Sequence, residues 1–209
     1  MSFKLNGIYY EHKQPDAIVA GAVAIYENAW VNPEQTISDV EAEVRSGNIC
    51  WERAQTIGAG IHQDHRTNSL IRVSYFAEQG NKVLQKVSNQ YNNLLVQYAS
   101  SYAKTFNTDD VHLYFETFNL LKYTQGKEYK AHYDGGSRTK RVFSVVSYLN
   151  DDYEGGELEF EHFKVKIKPE PGMLIIFPSN YAYRHVAHPI LSGTKYAMAT
   201  WVTDDTPIF

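Results

Sequence analysis

The spacing of hydrophobic positions changes character near residue 111. Before that point the period is helical. In "NPEQTISDVEAEVRSG", residues 32–47, Ile37, Val40 and Val44 fall on one face of a helix. Asn32 reads as its N-cap, Pro33 as its first position, Gln35 as the partner closing a capping box, and Gly47 as its terminator. A longer helix is predicted over about residues 81–105, where Leu84, Val87, Tyr91, Leu94, Leu95, Tyr98 and Tyr102 form a stripe suited to core packing. After residue 111 the pattern becomes short β-type runs: "HLYFETFNLLKY", "EYKAHYD", "RVFSVVSYL", "ELEFE", "KVKIKP", "GMLIIFPS", "RHVAHPI" and "KYAMATWVT". Turn residues separate them, at Thr124-Gln125-Gly126, Gly135-Gly136, Gly155-Gly156, Pro171-Gly172 and Ser192-Gly193. Eight short strands after a helical part predict an α+β fold, a two-sheet jelly roll with the N-terminal helices packed on one sheet. Its length suits one core rather than two, so residues 1–209 read as a single domain. Within it, about 1–110 is a helical support region and about 111–209 the β core.

Composition narrows the function. A hydrophobic fraction of 43% and a charged fraction of 21% fit a globular protein, and sixteen Tyr with ten Phe suit a β-rich one. A net charge of −4 offers no basic footprint, which argues against a nucleic-acid partner. The opening "MSFKLNGIYYEHKQPD" lacks an apolar signal core, and no run approaches membrane-spanning length, so no membrane association is expected. Cys50 is the only cysteine; an internal disulfide is impossible and a cytoplasmic location is expected. Any metal must be held by histidines and carboxylates.

Such a set exists. In "YKAHYDGG", residues 129–136, His132 and Asp134 are two apart on a strand-like run and therefore share a face. A third ligand must come from another strand, and His185 in "YRHVAHPI" begins one. Two imidazoles and one carboxylate leave open positions and suit a non-haem Fe(II) centre. The same spacing recurs at His62 and Asp64 in "IHQDHR", but inside a polar, loop-like stretch. No HExxH helix is present, which removes the commonest zinc hydrolase arrangement.

At these residues the chain resembles the Fe(II)/2-oxoglutarate-dependent dioxygenases, in particular the prolyl 4-hydroxylase branch. The resemblance is carried by "LLKYTQGKEYKAHYD", "RVFSVVSYLNDDYEGGELEF", "KPEPGMLIIFPS" and "RHVAHPILSGTKYAMATWV", spanning about residues 116–202, with weaker support from "RTNS" at 66–69. It implies a double-stranded β-helix and assigns His132, Asp134 and His185 to iron. It further implies a basic residue about ten positions after the distal histidine, for the far carboxylate of 2-oxoglutarate. Lys195 stands ten after His185 but seven after His188, and Pro189 stands four after His185, which favours His185 as the ligand. Burying a dianion also demands a counter-charge on physical grounds. Tyr148 is the expected hydroxyl partner of that carboxylate, and Tyr123 and Trp201 match aromatic pocket positions. The implied cofactors are Fe(II), 2-oxoglutarate and O₂, with ascorbate as reductant. The implied reaction is hydroxylation of an unactivated C–H, with succinate and CO₂ as co-products, on a proline at C4 in a peptide or protein. A free amino acid or another side chain is an alternative substrate, and a non-enzymatic jelly-roll binding protein an alternative function. Nucleic-acid demethylases of the superfamily place a second arginine where this chain has Trp201, and halogenating relatives lack the carboxylate that Asp134 supplies.

Overall fold

The computed structural model describes residues 2–5, 8–55, 65–108, 114–136 and 139–204. Two antiparallel sheets stack to form a jelly roll. The larger sheet runs Ala17–Val19, Val23–Tyr26, Leu174–Pro178, Arg141–Tyr148, Ile190–Thr203, Asn119–Thr124, Ser69–Arg72 and Glu52–Arg53; Tyr153–Gly155 and Tyr114–Phe115 also pair with its long strand. The smaller sheet runs Val165–Ile167, Leu158–Phe160, His185–Ala187 and Tyr129–His132. Each of the eight β-type runs read after residue 111 contains a strand.

Among the described residues three α-helices accompany the sheets: α1 (Pro33–Arg45), α2 (Val73–Glu78) and α3 (Lys82–Thr105). In α3 the stripe of Leu84, Val87, Tyr91, Leu94, Leu95 and Tyr102 is buried, with Tyr98 packed at its edge. It meets Phe143, Val145, Leu174, Ile176, Met198 and Val202 from one face of the larger sheet. The next residues along those strands, among them Val146, Tyr148, Ile175, Phe177 and Ala197, face the smaller sheet and meet Leu158, Phe160 and Ile167. The central strands are thus covered on both faces, which is why they read as nearly continuous apolar runs. Each large side chain so buried contributes roughly 1.5–3 kcal/mol.

Two expectations need correction. Asn32 does not close a capping box. Its backbone is left-handed (φ 52°, ψ 55°), whereas side-chain capping needs an extended residue, and the Gln35 amide instead bonds Asp39 at 2.7 Å. Asn81 at the head of α3 has the extended backbone, and its side chain accepts from Leu84 N at 2.9 Å. Gly47 does end α1, at φ 74°. Nor is the N-terminal part purely helical. It adds the pair Ser2–Leu5 and Ile8–Glu11, and it supplies Ala17–Val19, Val23–Tyr26, Glu52–Arg53 and Ser69–Arg72 to the larger sheet.

Candidate active site

Strand pairing assembles the histidines. In the smaller sheet His185 lies directly opposite His132, which puts both side chains on one face, and Asp134 follows two residues beyond His132. The donor atoms of His132, Asp134 and His185 all lie within 4.8 Å of one another. His132 Nε2 is 3.6 Å from Asp134 Oδ1, and His185 Nε2 is 3.7 Å from Asp134 Oδ2. The three side chains are between 7 and 11% exposed. His62 and Asp64 lie outside the described residues. His188 is not part of the cluster: its Nε2 meets Glu159 Oε2 at 2.6 Å.

The far side of each candidate ligand is engaged by protein. His132 Nδ1 is 2.7 Å from the Lys130 carbonyl, and His185 Nδ1 is 3.0 Å from the Tyr183 carbonyl. A carbonyl can only accept, so both rings carry hydrogen on Nδ1 and turn Nε2 toward the centre. Burial, then the neighbouring His185, pushes the His132 pKa down and keeps that ring neutral. Burial pulls Asp134 upward, but His185, His132 and hydrogen bonds outweigh it, holding the carboxyl below its usual range. Two imidazoles turned Nε2-first toward the centre and one ionised carboxylate form a donor set suited to divalent non-haem iron.

The cluster opens on a narrow cavity of about 60 Å³. Its walls include Leu121, Val146, Leu158, Ala197 and Ala199, and the structure brings Tyr123, Tyr148, Lys195 and Trp201 into it. The register explains this: Lys195 pairs with Tyr123, Ala197 with Tyr148, and Trp201 with Ser144. Lys195 is 2% exposed and has no ion-pair partner among the described residues; its Nζ donates to the Gly156 carbonyl. The rings of Tyr148, Tyr123 and Tyr153 surround that nitrogen at 5.1, 5.5 and 6.0 Å. Burial lowers its pKa to about 7, with Glu157 offsetting only part. Gly156 has φ 69°, and a Cβ there would lie 2.5 Å from Ile190 Cδ1 and 3.2 Å from Lys195 Cδ. A glycine is therefore required where the carbonyl meets the lysine.

Trp201 is more than a wall. The Arg141 guanidinium sits 3.6 Å over its ring and is held by Glu116 through two bonds of 2.7 and 2.6 Å. Three further residues were given no role from the sequence. Ser144 donates to Asp134 Oδ2 at 2.6 Å and meets the Ser179 hydroxyl at 2.8 Å. Arg66 lines the cavity 8% exposed, with its guanidinium 4.8 Å over Tyr129, which itself stacks on His132 at 3.5 Å. Ser144 left a faint trace, a polar residue on the cavity-facing side of an apolar strand, and Arg66 stood in the RTNS run that weakly supported the resemblance without being assigned a role.

Residues 118–203 match the sequence profile of the 2OG-Fe(II) oxygenase superfamily. Prolyl 4-hydroxylase 13 of Arabidopsis thaliana is 29% identical over 122 residues, 44% of this chain and 44% of that protein. Prolyl 3-hydroxylase 2 of Homo sapiens is 38% identical over 72 residues, 32% of this chain and 10% of that protein. The chain spans less than half the length of these curated relatives. Among solved structures, a prolyl hydroxylase of Trichoplax adhaerens, in complex with a hypoxia inducible factor oxygen degradation domain peptide, covers 89% of this chain and 85% of its own (TM-score 0.71, 20% identity). A Pseudomonas putida prolyl-4-hydroxylase covers 87% and 92% (TM-score 0.64, 16% identity). Both share the fold. The superfamily's cofactors are Fe(II), 2-oxoglutarate and O₂, and the donor set described above fits the iron. Over residues 118–203 the chain is thus similar to the 2OG-Fe(II) oxygenases, with prolyl hydroxylases among the relatives it resembles.

Proposed function

We propose that this protein is a 2-oxoglutarate-dependent dioxygenase that hydroxylates proline at C4 in a peptide or protein, forming succinate and CO₂. The observation that carries the reading is the buried, unpaired Lys195 sharing one cavity with the His132–Asp134–His185 cluster. A buried ammonium group without a carboxylate partner is costly unless a ligand brings the opposite charge. His132 and His185 would hold Fe(II) through Nε2 and Asp134 through its carboxylate. Lys195 and Tyr148 would take the far carboxylate of 2-oxoglutarate, with Tyr123 and Trp201 as walls. When bound, iron and 2-oxoglutarate together supply the oxidising power that an unactivated C–H demands. The chain's own contribution is orientation and dryness: the apolar walls exclude water from the reacting carbon, and Lys195 neutralises a charge that would otherwise stay hydrated. The exposed thiol of Cys50 is compatible with a reducing, cytoplasmic compartment.

A peptide partner is supported by the peptide in the Trichoplax adhaerens complex, and C4 by the prolyl 4-hydroxylases among the relatives. Arg66, which lines the cavity without a carboxylate partner among the described residues, favours a second reading in which the substrate carries its own carboxylate, as a free amino acid does. One incubation separates them. Protein with Fe(II), 2-oxoglutarate and ascorbate is offered proline-containing peptides and free amino acids, and products are read by mass and NMR. A one-oxygen gain at C4 of a peptide proline is expected. Turnover with free amino acids and with no peptide would overturn the peptide reading.

A further inference from the structure

Asp134 is the one candidate ligand with two equivalent donor atoms, and the fold treats them differently. Its Oδ2 accepts the Ser144 hydroxyl at 2.6 Å and lies 3.7 Å from His185 Nε2, while Oδ1 faces His132 Nε2 at 3.6 Å. Ser144 is completely buried, on the central Arg141–Tyr148 strand, and its oxygen lies 2.8 Å from that of Ser179, which is 1% exposed. Ser179 is itself pinned: its N donates to the Val142 carbonyl at 3.0 Å. Its carbonyl accepts from Gly135 N at 2.7 Å, so the same residue anchors the backbone immediately after Asp134. A Cβ at Gly135 would stand 3.0 Å from that carbonyl oxygen and 3.0 Å from the Arg141 carbonyl, so this close approach requires glycine. Ser179 thus bears on Asp134 twice, through the backbone that follows it and through the Ser144 hydroxyl it orients.

Two serine hydroxyls are an expensive choice for a site buried between apolar strands. A Val or Ala at residue 144 would pack as well and need no partner. Their placement has a chemical consequence. A carboxylate with both oxygens free can turn to chelate a cation through both, or swing away from it. One oxygen held by a fixed donor leaves a single oxygen for the ion and sets the plane of the carboxylate against the two imidazoles.

We propose that Ser144, oriented by Ser179, is a positioning residue that occupies Oδ2 of Asp134 and leaves Oδ1 to the metal. It does for the carboxylate what the Lys130 and Tyr183 carbonyls do for the histidines. The inference rests on the iron-site reading given above.

The test is metal binding, read without turnover. Co(II) is titrated into the full chain, and its visible absorption reports both affinity and coordination geometry. Ser144→Ala is expected to bind roughly 10–100-fold more weakly, the usual effect of removing a partner behind a metal ligand, with an altered Co(II) spectrum. Ser144→Thr, which keeps the hydroxyl, restores both; Ser179→Ala, which frees the Ser144 rotor, falls between. Should Ser144→Ala fail to fold by circular dichroism, Ser144→Cys replaces it: near in size, weak as a donor, and expected to show the same loss. Wild-type affinity and an unchanged spectrum in the folded Ala or Cys variant would overturn the proposal alone. Absence of Co(II) and Fe(II) binding in the wild type would overturn the iron-site reading with it.

Discussion

Replacing Lys195 with methionine separates binding from stability in a way few substitutions here can. The side chain is 2% exposed, and its one hydrogen bond goes to the Gly156 carbonyl. Methionine is similar in length and volume, so the packing around Tyr123, Tyr148 and Tyr153 changes little. Without 2-oxoglutarate the lysine is a liability. Its pKa is about 7 in the folded protein against 10.5 ordinarily, which costs on the order of 4 kcal/mol of stability at neutral pH. Losing the bond to Gly156 returns roughly 1–3 kcal/mol of that. Lys195→Met is therefore expected to melt at or above the wild-type temperature when the pocket is empty. Its affinity for 2-oxoglutarate moves the other way. A buried carboxylate left unpaired costs about 3–5 kcal/mol, so the dissociation constant rises roughly a hundredfold to several thousandfold. The assay is anaerobic titration of 2-oxoglutarate into the Fe(II)-loaded protein, beside a thermal melt without ligand. An unchanged dissociation constant would refute the assignment of Lys195 to the carboxylate. A large loss of melting temperature would refute the idea that the lysine is kept for its ligand.

Further expectations follow from the same geometry. His132→Ala, Asp134→Ala and His185→Ala each abolish turnover and Fe(II) binding with the fold retained by circular dichroism, whereas His188→Ala, whose ring pairs with Glu159, keeps both; the reverse pattern for His185 and His188 would overturn the ligand choice. Above about pH 7 the empty pocket holds a neutral Lys195, so 2-oxoglutarate binding takes up a proton and weakens by up to about tenfold per pH unit; calorimetry in two buffers of different ionisation enthalpy at pH 8 reads the uptake, and equal heats would contradict it. Because the unfolded lysine binds the extra proton between about pH 7 and 10.5, the empty wild type should gain stability over Lys195→Met as pH rises through that window, read by urea melts at pH 7 and 9. Asn81→Ala costs about 1 kcal/mol of stability, while Asn32→Gly costs nothing, since Asn32 caps with no side-chain bond and already sits at φ 52°; equal losses in urea unfolding would mean the caps are equivalent.

The β core and the pairing of His132 with Asp134 were legible because both follow from local rules: alternation puts His132 and Asp134 on one face. The preference for His185 over His188 came instead from the resemblance, through its spacing to Lys195. What assembles them is not local. His132 faces His185 across 53 residues of chain, and Lys195 meets Tyr123 across 72, through registers that no single strand encodes. The capping box failed for a related reason: residue types at Asn32 and Gln35 allow it, but the backbone entering α1 turns left-handed. The Ala17–Val19 and Val23–Tyr26 hairpin went unread because it is short, and its place is set by pairing with Leu174–Pro178 far along the chain. Ser144 and Ser179 look like ordinary strand and loop serines until the fold brings their hydroxyls beside Asp134.

The central claim is that the His132–Asp134–His185 cluster and Lys195 run 2-oxoglutarate-driven oxygenation in one cavity. Quantifying succinate formed from 2-oxoglutarate by the Fe(II)-loaded wild type and by Asp134→Ala, with and without a proline-containing peptide, tests it most directly. The wild type should form succinate, faster with peptide and in step with oxygen gained by the peptide, and Asp134→Ala should form none. Succinate at equal rates from both proteins, or from neither under any substrate, would contradict the account.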